Sequence, residues 1–346
     1  MNIVTSQGDS VRAGLTGDDG PASSWRQILK RAVRDPAQLL AALDLPSIAD
    51  ERQQGAMAQF PLLVPEGYLA RMERGNWQDP LLRQVLPLGE EMAQVPGFVP
   101  DAVNDGAAKK LAGLLQKYEG RALLVTTGAC AVHCRYCFRR HYPYSEGPRS
   151  AADWQPALDE LAKDPHLEEI LLSGGDPLTI VDEQLAELMR RMAQIPQLKR
   201  VRVHTRLPIL IPERVTEELI QLLRGTRLVP WMVIHANHAN ELDESVAQAV
   251  AKLVDAGIPV LNQAVLLAGV NDSLEALVNL SKRLLEMRVM PYYLHQLDKV
   301  SGTAHFEVPI ERGLVLMDDL RNALPGYGVP RYVQEIAGEK SKRILI

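Results

Sequence analysis

Residues 120–140 read GRALLVTTGACAVHCRYCFRR. The stretch opens on a β-branched and apolar run, Ala122–Thr127, which is the composition of a buried strand. A glycine ends the run, and a polar loop follows that holds Cys130, Cys134 and Cys137, the only cysteines of the chain. An odd, clustered set makes a poor disulfide framework and suits metal chemistry in a reducing compartment. The spacing is C-x₃-C-x₂-C. A four-iron cluster in an ordinary ferredoxin takes one thiolate per iron. Three cysteines leave one iron open to a small molecule, as catalytic zinc keeps one position open. A zinc site completed by His133 or a distant histidine is the competing reading, although this spacing without a second cysteine pair is an unusual zinc pattern. Three buried free thiols fit least, because Arg135, Arg139 and Arg140 put charge around them.

Five similar runs follow the first: Glu169–Ser173, Arg200–Thr205, Trp231–His235, Val260–Leu266 and Met290–His295. From the second onward they recur about every thirty residues. Stretches with helical periodicity lie between them, among them Pro212–Arg224, Glu241–Ala256 and Leu274–Met287. Strand–helix–strand at that pitch predicts βαβ units and a parallel sheet. Six units are two short of a closed eight-stranded barrel. The expected fold is therefore α/β, a partial open (β/α)₆ barrel with a mostly helical N-terminal region. Polar clusters sit at the ends of the runs: the cysteine loop, Ser173–Asp176, His204–Arg206, His235–His238, Asn262–Gln263 and His295–Asp298. In parallel α/β folds such ends converge on one mouth, where active sites lie.

The organisation expected is a flexible leader over 1–23, a helical region over 24–118, the barrel over 119–308, and a C-terminal helix with a tail over 309–346. Residues 24–43 have helical apolar spacing, and Ile310–Ala323 reads as the last helix. The leader lacks the basic-then-apolar order of a signal peptide. The chain has 346 residues, 46% of them hydrophobic, and a net charge of −5. That balance gives no reason to expect nucleic acid or an anionic membrane as partner. No apolar run is long enough to span a bilayer, and a cytoplasmic protein is expected.

The cysteine spacing, with the aromatic Tyr136 before the third cysteine, resembles the radical S-adenosylmethionine (SAM) superfamily. Ser173-Gly174-Gly175-Asp176-Pro177 resembles that superfamily's glycine-rich motif. The resemblance implies a [4Fe-4S] cluster on the three cysteines. It also implies SAM chelated to the open iron and cleaved by one electron to a 5′-deoxyadenosyl radical. Longer segments narrow it: GRALLVTTGACAVHCRYCFRRHY, EEILLSGGDPL, HANH, NQAVLLAGVND, PYYLHQLD and GYGVPRYVQEIAGEKSK. Over roughly residues 79–342 the chain resembles the lysine 2,3-aminomutase family.

That resemblance implies an isomerase in which pyridoxal 5′-phosphate (PLP) holds the substrate amine as an imine while the radical takes hydrogen from the β-carbon. Carried over residue by residue, Lys342 matches the PLP lysine, with Lys340 as its rival in the motif. Arg121 and Lys117 match the phosphate partners. Ser173, Gly174, Gly175, Asp176, His235 and Gln263 match positions near SAM. Arg139 matches the partner of the substrate carboxylate. Asp298 and Glu335 match the two acids that hold the ε-ammonium of lysine; the family usually has aspartate at the second. The chain stops four residues after Lys342, before the cysteine-bearing segment of longer family members. It thus resembles the short-form branch that makes (R)-β-lysine for elongation factor P. A catabolic lysine 2,3-aminomutase is the near alternative, and a non-catalytic Fe–S or zinc regulatory module is the distant one. The partners implied are L-lysine, an electron donor such as flavodoxin or ferredoxin, and elongation factor P with its lysyl-ligase. Homo-oligomerisation is left open.

Overall fold

The computed structural model describes residues 23–48, 50–148, 150 and 152–346. The leader expected over 1–23 lies, apart from Ser23, outside the described residues. The strands are β1 (Lys109–Leu111), β2 (Leu114–Tyr118), β3 (Arg121–Thr127), β4 (Glu169–Gly174) and β5 (Arg200–Thr205), then β6 (Val229–Ile234), β7 (Val260–Val265), β8 (Met290–His295), β9 (Arg331–Gln334) and β10 (Arg343–Ile344). They form one sheet in chain order from β1 to β10. Strands β3 to β9 are parallel, and antiparallel pairs β1–β2, β2–β3 and β9–β10 flank them. The sheet does not close. The six expected strands are all present as β3 to β8, and β9 adds a seventh parallel strand within the expected tail.

Alternation along the strands decides what lies inside. On β5, Val201, Val203 and Thr205 are buried while Arg200, Arg202 and His204 are half-buried. On β7, Val260, Asn262 and Ala264 are buried while Gln263 and Val265 open into the interior. Successive side chains point to opposite faces of a strand. One face therefore packs under the crossover helices, and the other lines a cavity. The concave face carries arginine, histidine, glutamine and tyrosine at these positions, so it makes a polar-walled cavity where a closed barrel has packed apolar layers.

The crossover helices are short and capped where the sequence offers an oxygen. Thr216 accepts from Leu219 N, Asp243 from Val246 N and Ser273 from Ala276 N, at 3.2, 3.0 and 3.2 Å. Each satisfies one of the orphan N–H groups of a first turn. The expected helix over 212–224 is a 3₁₀ turn, Pro212–Arg214, followed by the helix Glu217–Arg224, because Thr216 starts a new cap. The single periodic stretch over 24–43 is two helices, Ser23–Arg31 and Pro36–Ala42. Between them Val33 bridges Val64, and Asp35 caps the second helix ahead of Pro36, whose ring suits a first turn. Helix Ile310–Ala323 has the bounds the sequence suggested.

The N-terminal third is not a separate body. One apolar core runs from Trp25 through Leu81 and Leu172 to Tyr332. The 118/119 division also falls inside the β2–β3 hairpin. No helix among the described residues is long and apolar enough to cross a membrane.

Candidate active site

A cavity of about 520 Å³ opens at the carboxyl ends of the parallel strands, within the roughly 300–1,000 Å³ of ligand sites. All fifteen residues singled out above for cofactor, substrate or metal line it. The cysteine loop walls one part of it, with Cys130, Cys134 and Cys137 among the lining residues. Lys342, Glu335, Asp298, Lys117 and Arg121 also line it.

The cysteine loop is gripped from both sides. Gly175 N donates to Thr127 O at 2.7 Å, and Asp176 N donates to Ala129 O at 2.7 Å. A Cβ on Gly175 would stand 2.2 Å from Ala129 O, so glycine is required by the close crossing of the two loops. The Asp176 carboxylate accepts from Thr205 Oγ1, Arg206 N, Leu178 N and Leu207 N. It ties the ends of β4 and β5 together, and burial pushes its pKa up.

From behind, the N-terminal third supplies carbonyls and one carboxylate. Arg135 N donates to Gln84 O at 2.9 Å and His133 N to Leu63 O at 3.2 Å. The Arg135 guanidinium donates to both oxygens of Glu91 and to Phe60 O. Arg140 reaches the same carboxylate at 2.6 Å. Arg135, Arg140 and Glu91 are all buried, and charges so placed must be paired. Arg139 takes a different acid: its Nε donates to Asp105 Oδ2 at 2.7 Å and its Nη1 to Ser173 Oγ at 3.2 Å. Nη2 has no hydrogen-bond partner among the described residues. The arginines that flank the cysteines in sequence are thus committed to ion pairs. A more distant one, Arg206, stands with Nη1 2.8 Å from Cys134 Sγ and pairs with Glu241 at 2.6 Å. Gln84, Asn237 and the backbone N–H groups of Asn237 and His238 complete the polar shell of that pair.

Burial and the neighbouring sulfurs push the Cys130 and Cys137 thiols up, Cys137 to about 11. Thiolates here need a cation among them. Three free cysteines in one loop give a four-iron cluster three thiolate ligands and leave one iron open to a small molecule. The donor set fits the cluster.

Hairpin geometry builds the lysine end. On β9 and β10, Arg343 pairs with Gln334 and Ile344 with Val333. The next pair outward in that register is Lys342 and Glu335, and Lys342 Nζ lies 2.6 Å from Glu335 Oε2. Lys340 is exposed and does not line the cavity. Tyr118 donates to Glu335 at 2.7 and 2.9 Å. Burial alone would raise the Glu335 pKa, but Lys342, Tyr118 and Lys117 hold it down. Asp298 is half-buried with no such partners among the described residues, and burial pushes it up to about 7 against the pull of Lys342. Lys117 donates to Val103 O at 2.7 Å, and its Nζ forms an ion pair with Asp105 Oδ1 at 2.8 Å. Arg121 has no carboxylate partner among the described residues, and its guanidinium sits 4.4 Å over the Tyr118 ring.

Burial also keeps the three cavity histidines neutral. His235 is lowered to about 3, and His204 and His295 are well below the usual range. His235 Nε2 lies 3.4 Å from His204 Nδ1. Gln263 lines the cavity from β7. Sequence reasoning did not single out Asp105, Glu91, Gln84, Glu241 or Tyr118. One signal was available: three arginines in a buried loop require buried acids elsewhere in the chain.

Residues 124–281 match the model of the radical SAM superfamily. An L-lysine 2,3-aminomutase of Haemophilus influenzae is 44% identical over 321 residues, 93% of this chain and 95% of that protein. One from Escherichia coli is 46% identical over 324 residues, 93% and 94% of the two chains. One from Clostridium subterminale is 30% identical over 325 residues, 94% of this chain and 78% of that protein. With the cysteine loop, the glycine turn and the cavity at the strand ends, these likenesses place the chain in the L-lysine 2,3-aminomutase family of radical SAM enzymes.

Proposed function

We propose that this protein is a cytoplasmic, PLP-dependent lysine 2,3-aminomutase that converts L-α-lysine to (R)-β-lysine for the modification of elongation factor P. The observation that carries the reading is a single cavity walled by the cysteine loop and by the Glu335–Lys342 pair, with Arg139 at its edge. The cluster and SAM, held by Cys130, Cys134 and Cys137 and by the strand-end loops, supply a hydrogen-abstracting radical when bound. PLP, held by Lys342 and Arg121, supplies the π system through which nitrogen migrates between neighbouring carbons.

The chain's own residues bind and orient. Arg139 is locked by Asp105 and Ser173, and its remaining Nη2 suits the substrate carboxylate. Asp298 and Glu335 offer negative charge to a distal ammonium, and glutamate at 335 reaches one methylene further than the family's usual aspartate. In the cofactor-free state Glu335 holds the ammonium of Lys342. Lys342 would hold PLP, and the Glu335 carboxylate beside it would then be open to a substrate ammonium. Lys117, paired with Asp105, steadies the carboxylate that steadies Arg139.

The elongation factor P assignment rests on the family resemblance read from the sequence. The test is anaerobic incubation of the reconstituted enzyme with L-lysine, SAM, PLP and reductant, followed by chiral analysis. (R)-β-lysine is expected; the (S) product would favour the catabolic reading, and unchanged lysine would refute aminomutation. In a deletion strain of the source organism, elongation factor P is expected to accumulate unmodified.

A further inference from the structure

Tyr118 and Arg121 face each other across the two-residue turn of the β2–β3 hairpin. Directly opposed residues of an antiparallel pair project on one side of the sheet. The Arg121 guanidinium therefore lies on the Tyr118 ring, 4.4 Å from its centre. The hydroxyl of the same side chain lies 2.7 Å from Glu335 Oε1 and 2.9 Å from Oε2. Glu335 comes from the far side of the sheet, 217 residues on. Burial and the Glu335 charge raise the phenol's pKa, so it stays protonated and donates.

Among the described residues Glu335 is held most closely by Tyr118 and Lys342, with Lys117 Nζ further off at 3.9 Å. With Lys342 engaged by the cofactor, the phenol would be the closest group left on the carboxylate, ahead of Lys117. A glutamate stem has three rotatable bonds, and ordering it lowers the affinity of whatever must order it.

We propose that Tyr118 is a specificity-determining positioning residue: its hydroxyl fixes the Glu335 carboxylate at the ammonium end of the site, and its ring seats Arg121 at the phosphate end. The proposal rests on the assignment of Glu335 and Arg121 made above. Tyr118→Phe keeps the ring and removes the hydroxyl; Tyr118→Leu removes both contacts.

The experiment titrates L-lysine, and separately L-norleucine, into the PLP-loaded protein without reductant. Binding is read from the change in cofactor absorbance. Norleucine has the same chain without the ammonium. For Tyr118→Phe, lysine binding is expected to weaken roughly tenfold, the scale of a hydrogen bond to a charged group. Norleucine binding and PLP affinity should stay within about twofold. For Tyr118→Leu, PLP affinity should fall as well. Equal losses for lysine and norleucine in Tyr118→Phe would mark a merely structural role and overturn the proposal. Wild-type lysine binding by Tyr118→Phe, with Glu335→Gln weakened, would overturn it while leaving Glu335 assigned. If Glu335→Gln itself binds lysine normally, the assignment of Glu335 fails and the proposal falls with it.

Discussion

Replacing Gly175 by alanine tests whether the glycine turn serves the cysteine loop. The added Cβ would stand 2.2 Å from Ala129 O, 2.7 Å from Ala129 C and 2.8 Å from Gly128 C, where ordinary contact begins at 3.4 Å. The deficit of about 1.2 Å falls on backbone, so no side chain can rotate away from it. The two loops are also joined by Gly175 N to Thr127 O and Asp176 N to Ala129 O. They must part by about 1 Å, an overpacking cost of about 1–3 kcal/mol. Displacement on that scale at a reacting centre costs roughly a hundredfold in rate. Gly257→Ala is the control. Its Cβ meets nothing within 4 Å, but its φ of +76° is strained for alanine, a cost of about 1 kcal/mol or more. Both variants should melt earlier than wild type. Only Gly175→Ala should lose iron and sulfide after anaerobic reconstitution and fall roughly a hundredfold in turnover. Full cluster content and activity in Gly175→Ala, or equal cluster loss in Gly257→Ala, would refute the reasoning.

Three further outcomes are expected. Asp298 titrates near 7, and only its carboxylate attracts an ammonium. The preference for lysine over norleucine should therefore rise with pH through that value and fall about tenfold per unit below it; Asp298→Asn should flatten the profile, measured by cofactor absorbance from pH 6 to 9. Glu91→Gln leaves the buried guanidinium groups of Arg135 and Arg140 without their carboxylate. Denaturant unfolding should show a loss of about 3–5 kcal/mol, and a loss under about 1 kcal/mol would place the pair in the class of exposed ion pairs. Lys342→Ala should lose the absorbance of lysine-bound PLP and keep its iron, while Lys340→Ala keeps both; the opposite pattern would move the assignment to Lys340.

The strands of the barrel were legible because β-branched and apolar runs at a steady pitch, with helical periodicity between them, fit little besides βαβ units. Arg331–Gln334 was not, being four residues with one exposed arginine after a glycine- and proline-rich turn. The short hairpin Lys109–Tyr118 was missed for a similar reason: its first strand is wholly exposed and carries no alternation. In the site, the cysteines were legible from spacing alone, and the other cavity residues only through longer resemblances. Asp105 was not legible. In the sequence it is an acid opening a short helix, and its meaning comes from Arg139, 34 residues away, and from Lys117. Glu91 likewise reaches Arg135 across 44 residues. Contacts of that kind leave no period in a sequence.

The sheet order has a further consequence for how the molecule comes apart. Every strand pairs with its neighbours in the chain, so most of the sheet is assembled from near-local steps. The exception is the gap between the first and last strands, where no backbone ladder runs. Tyr118 and Lys117 reach Glu335 across it. The seam of the half-barrel is thus sewn by side chains. Openings that cost less than global unfolding should begin there. Amide exchange should be fastest along β1, β2 and β10 and slowest along β4 to β7. Lys117, Tyr118, Glu335 and Lys342 then sit beside the seam that breathes most easily, while the glycine turn after β4, which grips the cysteine loop, is held on the part that breathes least.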